Sequence, residues 1–251
     1  MRRVIFNQKG GVGKTTIVCN LAAIAAAKGL NTLVIDLDTQ GNSSQYLLGD
    51  QAADRSIADF FDTCLGFNLQ PTTLVPYVTR TRFDRLSVVA ASPRLEELQV
   101  KLETKQKVQK LSQALQKLSH FDAVFMDTPP AMNFYSRSAL IAADRLLVPF
   151  DCDEFARQAF YRLRQDVQEI QADHNENLQL EGLVINQFQA RAKQPAELLA
   201  ALKSEGHRVL EPYLPASVIV KESHSRHLPL VHLDPQHRLT QAFIHLYEQL
   251  S

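Results

Sequence analysis

Three glycines and two lysines crowd into Lys9-Gly10-Gly11-Val12-Gly13-Lys14-Thr15-Thr16, between an apolar strand at Val4-Ile5-Phe6 and a helical run at Ile17 to Ala27. Glycines let backbone N–H groups turn inward around a polyanion, and a helix starting at about Gly13 adds the positive end of its dipole. A strand, a phosphate loop and a helix in this order form the first unit of a parallel α/β sheet. There Lys14 reaches the β and γ phosphates of a nucleoside triphosphate, ATP being the expected one, and the Thr15 hydroxyl ligates Mg²⁺. The general spelling G-x-x-x-x-G-K-[ST] nevertheless fails, because Gln8 stands where its first glycine belongs and an additional lysine, Lys9, follows. Every residue from Lys9 to Thr16 is a candidate nucleotide contact.

The alternation of strands and helices continues along the chain. Runs at Leu33-Val34-Ile35, Ala123-Val124-Phe125-Met126, Leu146-Leu147-Val148 and Gly182-Leu183-Val184-Ile185 are continuously apolar, as strands covered on both faces must be. The predicted fold is α/β, a mostly parallel central sheet flanked by helices in a single domain over residues 1–251. Between the second and third core strands the pattern is more variable, with a helix expected at Ser56 to Thr63 and a long polar one from about Leu95 to Leu118. A final helix at Leu239 to Leu250 spaces Leu239, Ala242, Phe243, Leu246 and Leu250 for packing on the core, without the basic polar face of a membrane-surface helix.

Acidic residues follow two of the strands. In Val34-Ile35-Asp36-Leu37-Asp38 the two carboxylates alternate, so both can look toward the phosphate end of the sheet. Ala123-Val124-Phe125-Met126 delivers Asp127-Thr128-Pro129-Pro130, and an acid at the carboxyl end of an apolar strand matches a Walker B residue that holds Mg²⁺ through water.

The spelling of the loop resembles the deviant Walker A motif of the ParA/MinD superfamily of ATPases, and the resemblance covers nearly the whole chain. It implies a deviant Walker P-loop NTPase fold and an ATP-dependent homodimer in which Lys9 reaches across to the partner's nucleotide. The segment Asp36-Leu37-Asp38-Thr39-Gln40-Gly41-Asn42 is similar to the family's D-x-D-P-Q-G-N, with Thr39 in place of the proline. By that likeness Asp36 supports the metal site and Asp38 orients the attacking water, so that Lys9, Lys14 and Asp38 are the catalytic set and Thr15, Asp36 and Asp127 the metal set. Asn186, after the strand Val184-Ile185, is the implied adenine contact, with Leu214-Pro215 closing the other side of the ring. Segments at Leu214 to Val218, Ser223 to Leu230 and Asp234-Pro235 look like the carboxyl-terminal part of Soj-type ParA proteins.

Lys plus Arg and Asp plus Glu each total 27, so no overall field draws the chain to nucleic acid, and binding would need a local patch. The resemblance implies such a patch for non-specific DNA, with Arg191, Lys193, Lys221 and Arg226 as candidates. Where Soj-like chains carry an arginine stands Ile219, or Lys221 as a shifted substitute, and residues from Asp151 onward hold more acids than Lys plus Arg. The family further implies a ParB-like or other cargo-linked activator, a cytoplasmic and nucleoid-associated location, and a role in positioning or segregating a cargo. Cys19, Cys64 and Cys152 are odd in number and far apart, which disfavours a disulfide framework, a paired-cysteine metal site and an iron-sulfur carrier. No apolar window is long enough to span a bilayer, and a MinD-like membrane regulator is the weaker alternative. His224, His227, His232 and His237 match no structural zinc spacing, although their protonation below neutrality would add charge to a DNA-facing surface.

Overall fold

The computed structural model describes residues 1–66, 72–152, 156–188 and 193–250. In chain order the elements are β1 (Arg2–Ile5), α1 (Lys14–Ala27), β2 (Thr32–Asp36), α2 (Asn42–Leu48), α3 (Ile57–Leu65), β3 (Thr79–Arg80), β4 (Leu86–Val89), α4 (Leu95–Thr104), α5 (Lys110–Leu115) and β5 (Ala123–Asp127). They continue with α6 (Phe134–Ala142), β6 (Arg145–Phe150), α7 (Ala156–Asp173), β7 (Gln179–Ile185), α8 (Lys193–Ser204), β8 (Val209–Leu210), α9 (Ile219–Ser225), α10 (Leu230–Leu233) and α11 (Arg238–Glu248). The strands form one sheet in the order β3-β4-β2-β5-β1-β6-β7-β8. All pairs are parallel except the short antiparallel edge pair of β3 with β4.

Strand periodicity of two divides the core between the faces of this sheet. Val4 and Phe6, Leu33 and Ile35, Val124 and Met126, and Leu146 and Val148 pack with the residues of α3 to α8. The intervening Ile5, Val34, Phe125 and Leu147 face α1 and the carboxyl-terminal helices. Helix α1 is buried almost all round from Ile17 to Ala26, which explains why its sequence is apolar without a polar stripe.

Two expectations need correction. The expected long helix at Leu95 to Leu118 is two helices. Leu102 and Leu111 are both buried, yet nine positions on one helix would place them about 180° apart. The chain resolves this by turning at Gln106, whose φ is 51°. Lys107 N–H bonds Leu102 C=O at 3.0 Å and Gln106 N–H bonds Glu103 C=O at 2.9 Å, a Schellman termination made without glycine. The second correction is β4, which lies in the stretch expected to be variable and pairs in parallel with β2. Ser87 interrupts its apolar run, so the run is too short to stand out.

Candidate nucleotide-binding site

The phosphate loop leaves the carboxyl end of β1, between its neighbours β5 and β6, at a reversal of strand order where open α/β sheets hold their ligands. Gly11 and Gly13 have φ of 77° and 89°, a region that L side chains rarely adopt. Gly13 is constrained further, since a Cβ there would lie 2.2 Å from Asn186 Nδ2. Asn7 pins the start of the loop, its Oδ1 accepting from Lys9 N–H at 2.9 Å and its Nδ2 donating to Pro149 C=O at 2.7 Å. Gln8, the residue that breaks the general motif, donates from Nε2 to Asp166 on α7 at 2.6 Å.

Lys14 lies folded inside the loop, its Nζ donating to Asn7 C=O at 3.1 Å and Lys9 C=O at 3.0 Å. Burial lowers its pKa, opposed by the charges of Asp127 and Asp38. The Thr15 hydroxyl donates to Asp127 Oδ2 at 2.7 Å, and the Ser43 hydroxyl reaches the same oxygen at 2.6 Å. Asp36 accepts from Ser44 N–H at 2.8 Å, from its hydroxyl at 2.7 Å and from Asp38 N–H at 3.2 Å. In the sheet register Asp36 and Asp127 are direct partners. Both are buried and both are pushed up from the usual carboxylate range. Burial is the main cause for each, and the neighbouring carboxylates add to it, Asp127 acting on Asp36 and Asp38 on Asp127. Asp38, near the surface of the cavity, accepts from Gln40 N–H at 3.0 Å.

A cavity of about 580 Å³ lies over this floor, lined among others by Gly10, Gly11, Gly13, Lys14, Thr15, Thr16, Asp38, Asn186 and Pro215. That volume suits a nucleotide. The structure thus joins most of the loop, Asp38 and both expected adenine neighbours around one space, with Asp127 bonded to Thr15 and Ser43 and Asp36 to Ser44. A larger groove of about 890 Å³ lies near Asn31, Arg85 and Phe121, at the amino ends of the strands, and contains none of the expected site residues. Asn186 donates to Val12 C=O at 2.9 Å and Gln187 to Gly11 C=O at 2.8 Å, so the end of β7 braces the loop.

The described residues expected to meet DNA fall on α8, on α9 and at its end. Lys221 lines the nucleotide cavity, Arg226 is exposed and paired with Glu222 at 3.0 Å, Lys193 opens α8, and Arg191 lies outside the described residues. Burial lowers the pKa of His224 and of His232, with smaller contributions from His227 and Arg82 respectively. Their protonation therefore belongs to a more acidic range than expected. No cluster of potential metal ligands of the His, Cys, Asp and Glu type occurs among the described residues, and no helix there is long and apolar enough to cross a membrane. Sequence reading missed Ser43 and Ser44, whose place after the Asp36 to Asn42 segment reads as an ordinary helix start. It also missed Asp151, Gln187 and His224, which no local pattern connects to the loop.

Residues 3–180 match the AAA domain family. The chain is 27% identical to the sporulation initiation inhibitor protein Soj of Bacillus subtilis, over 98% of this chain and 96% of that protein. It is 30% identical to the chromosome partitioning protein ParA of Myxococcus xanthus, over 98% of this chain and 86% of the relative. A McdA variant from Cyanothece, solved in complex with ATP, superposes with a TM-score of 0.84 at 22% identity over 99% of this chain and 95% of that one. These similarities extend beyond the loop to almost every element of the sheet, and on their strength the chain belongs to the AAA domain family and, within it, to the ParA proteins.

Proposed function

We propose that this protein is a ParA-type ATPase that hydrolyses ATP within a sandwich dimer and uses the cycle to position or segregate a cargo on DNA. The observation that carries the reading is the single cavity in which the loop, Lys14, Thr15 and Asp38 converge on a nucleotide-sized space. Thr15 and Asp127 would hold Mg²⁺, with Asp36 in support. The donors are hard oxygens, and two buried carboxylates side by side supply the negative charge that a divalent cation offsets. When bound, the cation neutralises charge on the phosphates.

The protein's own groups account for the rest. Backbone N–H groups of Gly10 to Thr16 and the amino end of α1 hold the phosphates, and Lys14 turns from the loop carbonyls to the β and γ oxygens. Asp38 orients water for in-line attack, which yields ADP and phosphate. Lys9, supplied by the second subunit, stabilises charge on the transferring group as an arginine finger does. ATP thereby joins the two subunits and its cleavage separates them.

DNA affinity would come from the few cations of each subunit, doubled by dimerisation and screened by salt. A cargo-linked activator of the ParB type then sets where hydrolysis occurs. Fluorescence anisotropy with random-sequence duplex DNA at low salt tests the scheme. Affinity that appears with ATP, and not with ADP, supports it, whereas equal affinity in both states contradicts an ATP-timed switch.

A further inference from the structure

Helix α9, in the carboxyl-terminal region, meets the end of the phosphate loop at Thr16. Val220 and Lys221 line the nucleotide cavity. One turn later His224 places Nε2 3.0 Å from Thr16 Oγ1. Its ring lies flat on that of Tyr46 from α2, with centroids 4.3 Å apart and planes 9° from parallel. Tyr46 is fixed in turn, because its hydroxyl pairs with Ser223 and lies 3.4 Å from Asn20 Nδ2. Asn20 donates to Thr16 C=O at 2.8 Å and accepts from Leu230 N–H at 2.8 Å. The His224 ring is therefore held by stacking, and its nitrogen is aimed at one hydroxyl of the loop.

Resting on the nucleotide reading above, we propose that His224 is a positioning residue of the phosphate site, donating from Nε2–H to the Thr16 hydroxyl so that this hydroxyl points its own proton at a bound phosphate. Phosphate oxygens only accept, so a Thr16 hydroxyl facing them must donate. Its lone pairs are then left for a donor behind it. A neutral imidazole provides one donor and one acceptor, and phosphate occupancy selects the tautomer with hydrogen on Nε2. Burial favours the neutral ring. Through this bond α9 registers whether the loop is filled, although it lies 208 residues further along the chain.

Calorimetric titration with Mg-ADP tests the proposal on wild type, His224→Phe, His224→Gln and Thr16→Val. Phenylalanine keeps a ring on Tyr46 and loses the donor, while glutamine can place an amide N–H near the position of Nε2. His224→Phe is expected to bind about five- to tenfold more weakly, the range of one lost hydrogen bond, and His224→Gln to stay within about twofold of wild type. Adding His224→Phe to Thr16→Val should cause no further loss, because the two act as a unit. Nitrogen-15 spectra of the nucleotide-bound wild type should show His224 protonated at Nε2 and not at Nδ1. Thermal melts without nucleotide establish that each variant is folded. Full affinity in a folded His224→Phe, equal losses in both His224 variants, additive losses in the double variant, or an Nδ1–H tautomer would each overturn the proposal. A wild type that binds no Mg-ADP would overturn the nucleotide reading itself, and that outcome is visible before any variant is compared.

Discussion

Lys9 Nζ and Asp151 Oδ2 stand 2.6 Å apart, so the extra lysine of the loop is held within its own subunit by an acid at the end of β6. In the proposed dimer Lys9 must exchange this partner for the nucleotide of the second subunit. The pair is partly exposed, at 38% and 28% of the two side chains, and such pairs contribute at most about 1 kcal/mol. Asp151→Asn should accordingly strengthen ATP-dependent dimerisation by up to about fivefold. Light scattering across a concentration series measures this, and weaker dimerisation would mean that Asp151 assists the exchange instead of opposing it.

The two lysines of the loop should separate by assay. Lys14→Ala is expected to weaken nucleotide binding about 10- to 100-fold, since it removes charged hydrogen bonds to phosphate. Lys9→Ala should bind within about threefold of wild type while losing most hydrolysis, because a cation supplied in trans acts on the transition state. Equal turnover in Lys9→Ala and wild type, measured by phosphate release with DNA and activator present, would remove Lys9 from the mechanism.

Asp38 is predicted to act in the chemical step alone. Asp38→Ala should retain ATP, accumulate as the ATP-bound dimer and lose at least about 100-fold in turnover, as expected when a group that positions the nucleophile is removed. Full activity in this variant would assign the water to another residue.

The buried carboxylates predict a pH dependence opposite to that of ordinary salt-bridged acids. Asp36 and Asp127 have pKa values raised above the usual carboxylate range, so between about pH 4 and neutrality the folded state binds more protons than the unfolded chain. Their contribution to stability is thus lost as pH rises through that window. In the presence of a chelator, Asp36→Asn should melt at a higher temperature than wild type at pH 8, and this advantage should shrink at pH 5.5. Mg²⁺ with ADP should raise the wild-type melting temperature more at pH 8 than at pH 5.5. A variant advantage that does not change with pH would contradict the assignment.

Toward the amino end of β1, Arg3 Nε donates to Glu181 Oε2 at 2.6 Å, and the guanidinium also bonds Leu250 C=O. Both side chains of the pair are nearly inaccessible, at 5% and 8%. Removing one member leaves a buried unpaired charge, and Glu181→Ala should cost about 3 to 5 kcal/mol in urea unfolding. A loss below about 1 kcal/mol would show that water reaches Arg3 readily.

What the chain determined by itself is local. Glycines at fixed spacing, alternating acids after an apolar run, and a stripe of apolar residues on the last helix all act within a few positions of one another. The loop, Asp36, Asp38, Asp127, five of the parallel strands and α11 are therefore legible in the order of the residues alone. Tertiary structure decided what depends on neighbours far along the chain. It set Asp36 beside Asp127 through strand register and turned the chain at Gln106 so that Leu102 and Leu111 could share a core. It also brought Asp151 to Lys9 across 142 residues and His224 to Thr16 across 208. Periodicity records which face of an element is buried, but it carries no label for the element that will cover that face. The partners of Lys9 and Thr16 are for that reason invisible in the sequence, although both lie within the motif that it displays most plainly.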